Sequence, residues 1–226
     1  MLFNKENLVS ILKELESHDA TLVAVSKTKP VEAIREVYDF GHKIFGENYV
    51  QELADKHEQL TKDIQWHFIG HLQTNKVKLI APFVSLIHGV DSLKLLKEIN
   101  KEAERNNRVI NCLLQIHIAK EETKFGLSFE EAEELLRSNE INELKNISIK
   151  GFMGMATLTD DHLQIRNEFR SLKKFRDNLI SNLGFRISDF GFLSMGMTSD
   201  YKIALEEGSN MVRIGSAIFG ERNSAI

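Results

Sequence analysis

Short apolar runs alternate with amphipathic segments along almost the whole chain. Eight runs have the length and apolar character of buried strands, at 21–26, 43–45, 64–69, 84–88, 109–118, 147–155, 190–195 and 211–214. Apolar residues at helical spacing mark the segments that follow them, most clearly at 30–40, 93–106, 128–137, 161–182 and 199–207. A further helix precedes the first strand, with one apolar face made of Leu8, Ile11, Leu12 and Leu15.

Eight strand–helix units in a chain of 226 residues give a repeat of roughly 28 residues, which is typical of a (β/α)8 barrel. The alternative is an open doubly wound sheet. It is disfavoured because no Gly-x-Gly-x-x-Gly follows the first strand. With only two prolines and no Gly/Ser-rich linker, we predict an α/β protein: a single (β/α)8 TIM barrel with an extra N-terminal helix, one domain over 1–226.

Composition excludes several classes of protein. Hydrophobic residues make up 42% and charged residues 27%, and the net charge of −4 includes no basic block, which disfavours nucleic acid as a partner. No apolar run is long enough to span a membrane, and the amphipathic N-terminus has no apolar signal core. We therefore expect a cytoplasmic protein with no membrane partner. Cys112, the single cysteine, lies in an apolar run and is expected to be buried.

Candidate chemistry lies where the predicted strands end, because barrels of this kind build their sites at the carboxyl ends of the strands. Lys27 and Lys29 directly follow the first strand. A lysine at the end of a buried strand is poorly hydrated, which favours its neutral, nucleophilic form. The alternative interpretation is a strand end that simply reaches solvent.

The last two strand ends, SMGMTSD and RIGS, have the features of a phosphate site. Gly196 and Gly215 allow close approach to the backbone, Thr198 and Ser216 offer hydroxyls, and a helix is predicted just after each. Relief of crowding at the strand ends would explain the glycines equally well. A lysine amine facing a phosphate site indicates a Schiff base with pyridoxal 5′-phosphate (PLP).

Five motifs in order resemble the pyridoxal phosphate homeostasis protein family. They are AVSKTKP, FGENYVQE, WHFIGHLQTNK, the segment 124–126, and LSMGMTSDYKIALEEGSNMVRIGSAIFG. The similarity extends from about residue 22 to 220. That family has the fold of the N-terminal barrel of alanine racemase and of bacterial-type ornithine decarboxylase, so the resemblance implies this fold here.

Site roles follow from the resemblance, position by position. It implies that Lys27 forms the Schiff base and that Asn48 lies beside the cofactor ring. Phosphate binding is implied for Met197, Thr198, Gly215 and Ser216. Arg213 is implied beside the pyridine nitrogen, where a cation disfavours protonation of the ring and so weakens the electron sink that amino-acid chemistry needs.

The resemblance also bears on further positions, two of which depart from the family. Lys29 is expected to be a second cation near Lys27, favouring its neutral form or helping cofactor to enter and leave. Lys124 matches a family lysine near the barrel mouth. His117 stands in the predicted fifth strand where the family often has asparagine, and Thr198 stands where it often has serine. The first departure leaves the polarity of the barrel interior open, whereas the second keeps the hydroxyl.

Metal binding is not expected. His67 and His71 are four residues apart, but they bracket a strand end and a glycine, so they would not share a face. Asp160 and Asp161 have the pattern of a helix N-terminus rather than of a catalytic pair.

Two functions remain open. The favoured one is a PLP-binding protein that holds and delivers the cofactor, acting in vitamin B6 and amino-acid homeostasis, with apo-enzymes that require PLP as possible partners. The other is a PLP-dependent racemase or decarboxylase. Racemisation needs a base on each face of the substrate carbon. Few residues follow the last predicted strand, so we expect no second domain to supply one, and Tyr49 is the tyrosine nearest the strand ends. We expect a monomer without catalytic activity. A phosphate-binding barrel of another kind would require an incidental Lys27.

Overall fold

The eight predicted strands form a closed, all-parallel barrel in the order of the sequence. This computed structural model describes residues 2–121, 125–183 and 190–221. The strands are β1 Thr21–Val25, β2 Ile44–Glu47, β3 Gln65–Phe68, β4 Leu86–Val90, β5 Ile110–Ile116, β6 Ile147–Gly154, β7 Phe192–Met197 and β8 Met211–Ile214. Pairing of β1 with β8, in which Ala24 lies opposite Ile214, closes the ring. The predicted (β/α)8 barrel is confirmed.

Helices connect the strands on the outside of the barrel. In the described part of the chain they are α1 Lys5–Glu16, α2 Val31–Asp39, α3 Val50–Gln59, α4 Val77–Ile80, α5 Leu93–Arg105, α6 Phe129–Arg137, α7 Asn139–Glu143, α8 His162–Leu183, α9 Tyr201–Glu206 and α10 Ser216–Phe219. The extra helix α1 precedes β1 as predicted and buries Leu8, Ile11 and Leu15. A capping box begins α6, with Ser128 and Glu131 bonded reciprocally.

Two separate apolar layers hold the barrel together. The larger lies between strands and helices and includes Phe45, Trp66 and Phe152. The smaller fills the barrel interior and contains Val23, Leu86, Leu113, Met153 and Met211. Because side chains alternate along a strand, neighbours on one strand enter different layers, and a polar side chain at a strand end faces either the interior or a helix.

Most strand boundaries lie within about two residues of the prediction, as is usual for such assignments. Two of the differences change where a polar residue is placed. Glu47 is the last residue of β2 rather than a loop residue. His117 lies beyond the end of β5, where its Nε2 contacts the carbonyl of Glu121 at 2.8 Å. The sequence placed His117 within the fifth strand, and this placement was wrong by one residue. Cys112 is buried, as predicted.

No helix within residues 2–121, 125–183 and 190–221 combines the length and the apolar character that a membrane span requires.

Candidate functional site

A cavity of about 400 Å³ opens at the carboxyl ends of the strands. All seven residues predicted to bind cofactor line it: Lys27, Asn48, Met197, Thr198, Arg213, Gly215 and Ser216. They come from both ends of the chain, and the pairing of β1 with β8 brings them together. Apolar side chains, among them Val25 and Ile69, form part of the remaining wall. An apolar pocket with a few convergent polar groups is typical of a small-molecule site.

Alternation along β1 directs Lys27 to this cavity. Val25 and Lys27 line it, whereas Ser26 between them is buried on the opposite side, where its hydroxyl donates to Glu47 Oε1 at 2.6 Å. The chain then turns sharply, because the N–H of Lys29 donates to the carbonyl of Ser26 at 3.0 Å. Within this turn Thr28 has a φ of +63°, which is a rare conformation for a β-branched residue.

Lys29 does not lie beside Lys27 in the cavity. Its amine donates to the carbonyls of Gly220 and Glu221, at 3.0 and 2.8 Å, beyond the end of α10. Lys29 thus ties the β1–α2 turn to the end of α10, and it is not among the residues lining the cavity. The expectation of a second cation at the amine of Lys27 is not supported by this placement. Lys124 lies outside the described residues.

The ends of β7 and β8 form the opposite wall. Asp200 closes the turn after β7, since its carboxylate accepts from the N–H of Met197 at 2.6 Å. This turn presents Thr198 and Ser199 to the cavity. Gly215 lies between the end of β8 and the start of α10, and a Cβ there would stand 3.0 Å from the carbonyl oxygen of Val25. Crowding against β1 is the alternative explanation that the sequence left open for this glycine. Approach of a phosphate to the backbone at Gly215 stays a prediction.

Arg213 reaches the cavity from the floor of the barrel. It is buried, and its guanidinium donates to the carbonyl and hydroxyl of Ser194 at 2.7 and 2.6 Å and to the carbonyl of Gly154 at 3.1 Å. Burial lowers the pKa of Arg213 to about 10, and Asp200 opposes this effect. The group therefore stays a cation at neutral pH, with its orientation set by three bonds.

A chain of buried polar side chains continues from Arg213 into the barrel. His88 Nδ1 lies 3.0 Å from the Ser194 hydroxyl, and His88 Nε2 lies 3.0 Å from Nδ1 of His67. A guanidinium only donates, so Ser194 accepts from Arg213 and keeps its own proton to donate. If that proton goes to His88 Nδ1, the proton of neutral His88 is on Nε2 and faces His67. Burial lowers the pKa of His88 and that of His67, the latter to about 3, so both rings are neutral at pH 7.

His67 and His71 have different surroundings: His67 is buried beside His88, whereas His71 is exposed. His71 stacks on Phe125 with 4.1 Å between ring centroids, and its Nδ1 lies 3.4 Å from the carboxylate of Asp91. Among the described residues, no three His, Cys, Asp or Glu side chains form a group that could hold a metal ion.

Comparison with known proteins agrees with the architecture and with the motifs. The profile of the family described as alanine racemase, N-terminal domain, matches residues 4–223. The pyridoxal phosphate homeostasis protein of Aquifex aeolicus is 43% identical over 204 residues, covering 90% of this chain and 87% of that protein. The Escherichia coli K12 protein of the same name is 36% identical over 211 residues, covering 91% and 87%. The chain belongs to the pyridoxal phosphate homeostasis protein family.

Among solved structures, one similar to this chain contains bound PLP. PipY of Synechococcus elongatus, solved with PLP bound, superposes with a TM-score of 0.85 at 32% identity, covering 95% of this chain and 99% of PipY. Alanine racemase of Clostridium difficile superposes with a TM-score of 0.74 at 16% identity, over 99% of this chain but 62% of the racemase. The second likeness shows a shared fold.

The residues around the cavity fit PLP chemically. The phosphate would find hydroxyls at Thr198 and Ser216 and the backbone N–H groups at the start of α10, which lack acceptors within the helix. Arg213 offers a fixed cation for the ring nitrogen. The side-chain oxygen of Asn48 is buried and has no hydrogen-bond partner among the described residues. Such an orphaned acceptor is costly unless a ligand or water completes it.

Sequence reasoning missed one set of functional candidates, a buried cluster directly behind Lys27. It contains Ser26, Glu47, Glu52 and Lys56, and Lys56 is only 5% exposed. The sequence prediction ends β2 two residues too early, which makes Glu47 a loop residue and not a strand residue facing a helix. A signal was present: Glu52 and Lys56 have the i, i+4 spacing of a helical ion pair.

Glu47 makes the stability of this family member depend on pH. Burial raises the pKa of Glu47 to about 7 from its ordinary 4.5, more than Lys56 and Ser26 lower it. The folded state therefore keeps a proton that the unfolded chain loses, and the free energy of unfolding falls as pH rises between these values. Relative to Glu47→Gln, which does not titrate, the wild type should lose roughly 2–3 kcal/mol between pH 5 and 8. Urea denaturation at both pH values measures this, and parallel pH profiles for the two proteins would contradict it.

Proposed function

We propose that this protein binds PLP in the cavity at the end of the barrel, holds it as a Schiff base on Lys27, and supplies it within the cell in PLP and amino-acid homeostasis. The convergence of the seven residues on one cavity carries the proposal. Family membership and the PLP-bound PipY relative support it. The partners that this function implies are apo-enzymes that require PLP.

Covalent binding is a condensation that needs no additional reactant. The neutral Lys27 amine forms a C=N bond with the aldehyde carbon of PLP, and the aldehyde oxygen leaves as water with both amine protons. Bound in this way, PLP would supply an imine carbon that can react again with an amine or with water, and an aromatic ring able to withdraw electrons. Water reverses the same step, so a lysine of this kind both retains and releases the cofactor.

Each of the remaining residues is assigned to one part of PLP. Thr198, Ser216 and the backbone at Gly215 are assigned to the phosphate, and Asn48 to the ring. Arg213 is assigned to the pyridine nitrogen, where its positive charge disfavours ring protonation. An unprotonated ring stabilises a carbanion poorly, so this arrangement favours storage of PLP over chemistry on amino acids.

The tyrosines bear on the alternative function, that of a racemase. A second base would have to face Lys27 across the substrate. Tyr38 donates to Asp63 and Tyr201 donates to Glu14, each on the outside of the barrel. Tyr49 lies at the start of α3 and is 58% exposed. None of the three lines the cavity, which favours the storage function.

We expect the PLP-loaded protein to transfer its cofactor rather than to turn over amino acids. The first measurement is recovery of activity in an apo-enzyme that requires PLP, compared with free PLP at the same concentration. The second is interconversion of L- and D-amino acids, with Tyr49→Phe as the matched variant. Racemisation at about 1 per second or faster, the ordinary range of enzymes, and lost in Tyr49→Phe, would establish the racemase instead.

A further inference from the structure

The buried cluster behind Lys27 is built around one ammonium group. Lys56 on α3 donates to the Ser26 carbonyl at 2.8 Å, to Glu47 Oε1 at 2.8 Å and to Glu52 Oε1 at 2.7 Å. Three bonds satisfy all of its donors. The Ser26 hydroxyl also donates to Glu47 Oε1, at 2.6 Å. The cluster thus joins the ends of β1 and β2 to α3.

Hydrogen bonds of this cluster are made to the residues that precede and follow Lys27 in the chain. Ser26, which precedes it, is held through its carbonyl by Lys56 and through its hydroxyl by Glu47. Thr28, which follows it, donates its backbone N–H to Glu52 Oε1 at 2.6 Å. Lys56 also bonds Glu52. One ammonium therefore connects the two residues that flank the cavity lysine.

The backbone conformation at this turn needs such support. A φ of +63° is unfavourable for Thr28, since a β-branched side chain crowds the backbone there. Conformations of this kind persist where the surroundings hold them, and they are found preferentially at functional sites. The charged bond from Thr28 to Glu52 is of the stronger class, and Glu52 in turn is fixed by Lys56.

A role in general stability alone explains the cluster less well. Buried ion pairs are weak contributors to stability, because the cost of desolvating the charges offsets their attraction. What this cluster does specifically is to fix the direction in which β1 ends. Lys27 leaves the chain at that point, into the cavity.

We propose that Lys56, acting with Glu47 and Glu52, is a positioning residue that aims the Lys27 amine at the aldehyde carbon of PLP. The inference rests on the proposed function. Lys56 does not touch the cofactor: it fixes Ser26 and Thr28, and through them the origin of the Lys27 side chain. Displacement of a reacting group by about 1 Å can slow a reaction by roughly a hundredfold. The phosphate and nitrogen contacts come from β7 and β8, so loss of the cluster should slow the condensation and spare cofactor docking.

The test separates these two effects with an analogue. Docking is measured as the dissociation constant of 4-deoxypyridoxine 5′-phosphate, which keeps the ring and phosphate but has no aldehyde. Condensation is measured as the rate at which absorbance at about 420 nm appears at saturating PLP. In Lys56→Met and in Glu52→Ala we expect the rate to fall roughly tenfold to a hundredfold, with analogue affinity within about twofold of wild type.

Two comparisons distinguish positioning from folding. Glu47→Gln keeps an oxygen that accepts from Ser26, so it should condense faster than Glu47→Leu, which removes the acceptor. Glu102→Gln removes a buried carboxylate on α5, paired with Arg105 and distant from β1, and should leave both measurements unchanged. Thermal unfolding accompanies each variant. If Lys56→Met does not fold, Glu52→Ala is the variant to measure, because Glu52 is partly exposed and its truncation leaves Lys56 paired with Glu47.

The outcomes separate the inference from the function on which it rests. A condensation rate at the wild-type level in the folded variants would overturn the positioning role. An equal loss of analogue affinity would overturn it too, because the cluster would then merely maintain the fold. Wild-type protein that docks the analogue but never develops the absorbance band would instead refute the Schiff base itself.

Discussion

Replacement of Lys27 by alanine should abolish covalent capture of PLP. The wild-type protein mixed with PLP is expected to absorb at about 420 nm, as a protonated imine of this cofactor does. Lys27→Ala removes the amine that lines the cavity, so the band should disappear. Borohydride reduction followed by peptide mapping should label wild-type protein within the peptide that contains Lys27 and should leave the variant unlabelled.

Lys29→Ala is the matched control for this experiment. It removes a lysine two residues away whose amine bonds the carbonyls of Gly220 and Glu221 rather than lining the cavity. Its band should survive. Retention of the band in Lys27→Ala with loss in Lys29→Ala would reverse the assignment. Because the proposed phosphate contacts lie on other strands, Lys27→Ala should still bind PLP, by dialysis or calorimetry, without forming the covalent bond.

Loss of a phosphate contact should weaken PLP binding by roughly tenfold to a hundredfold. Each hydrogen bond to a charged group typically contributes about 1.5–3 kcal/mol, and about 1.4 kcal/mol corresponds to a tenfold change in affinity. Thr198→Ala and Ser216→Ala each remove one hydroxyl from the cavity wall. The dissociation constant for PLP, measured by titration of the apo protein, should rise accordingly in both variants.

Pyridoxal without its phosphate provides the complementary measurement. It should bind wild-type protein far more weakly than PLP, and Thr198→Ala or Ser216→Ala should weaken its binding little further. Ser181→Ala is the control variant, because that hydroxyl is exposed on α8 and donates to the carbonyl of Asp177. If pyridoxal and PLP bound equally well, the phosphate would not be recognised and the assignment of Thr198 and Ser216 would be wrong.

Much of the fold and of the cavity lining could be predicted from the sequence because both follow local rules. Apolar runs separated by amphipathic segments determine the number and order of the strands. Parallel strands of a barrel all end at one face, so a residue that directly follows a strand, such as Lys27 or Ser216, reaches the site without knowledge of any long-range contact. Gly215 follows its strand and lines the cavity in the same way, whereas Gly196 lies within β7, packs against α9 and is not among the residues lining the cavity.

The directions in which side chains leave a turn or a strand end could not be predicted from the local pattern. Lys27 and Lys29 are similar in sequence context, but the turn at Thr28 sends one to the cavity and the other to the end of α10. Likewise, the pattern does not reveal that Glu47 faces α3 and meets Lys56, because this requires the exact end of a strand and the rotation of a helix. The bonds from Arg213 to Ser194 join strands whose register is a long-range property.

Closure of the barrel between β1 and β8 has a consequence for how this protein folds. The cavity spans that seam, with Lys27 on one side and Gly215 and Ser216 on the other. A nascent or partly unfolded chain in which β8 has not yet docked has no complete pocket, so the proposed PLP site requires the closed ring. Cofactor present at a hundredfold excess over its dissociation constant would then stabilise the closed state by about 2.7 kcal/mol. Occupancy would in this way lengthen the lifetime of the folded chain and link its turnover to the supply of vitamin B6.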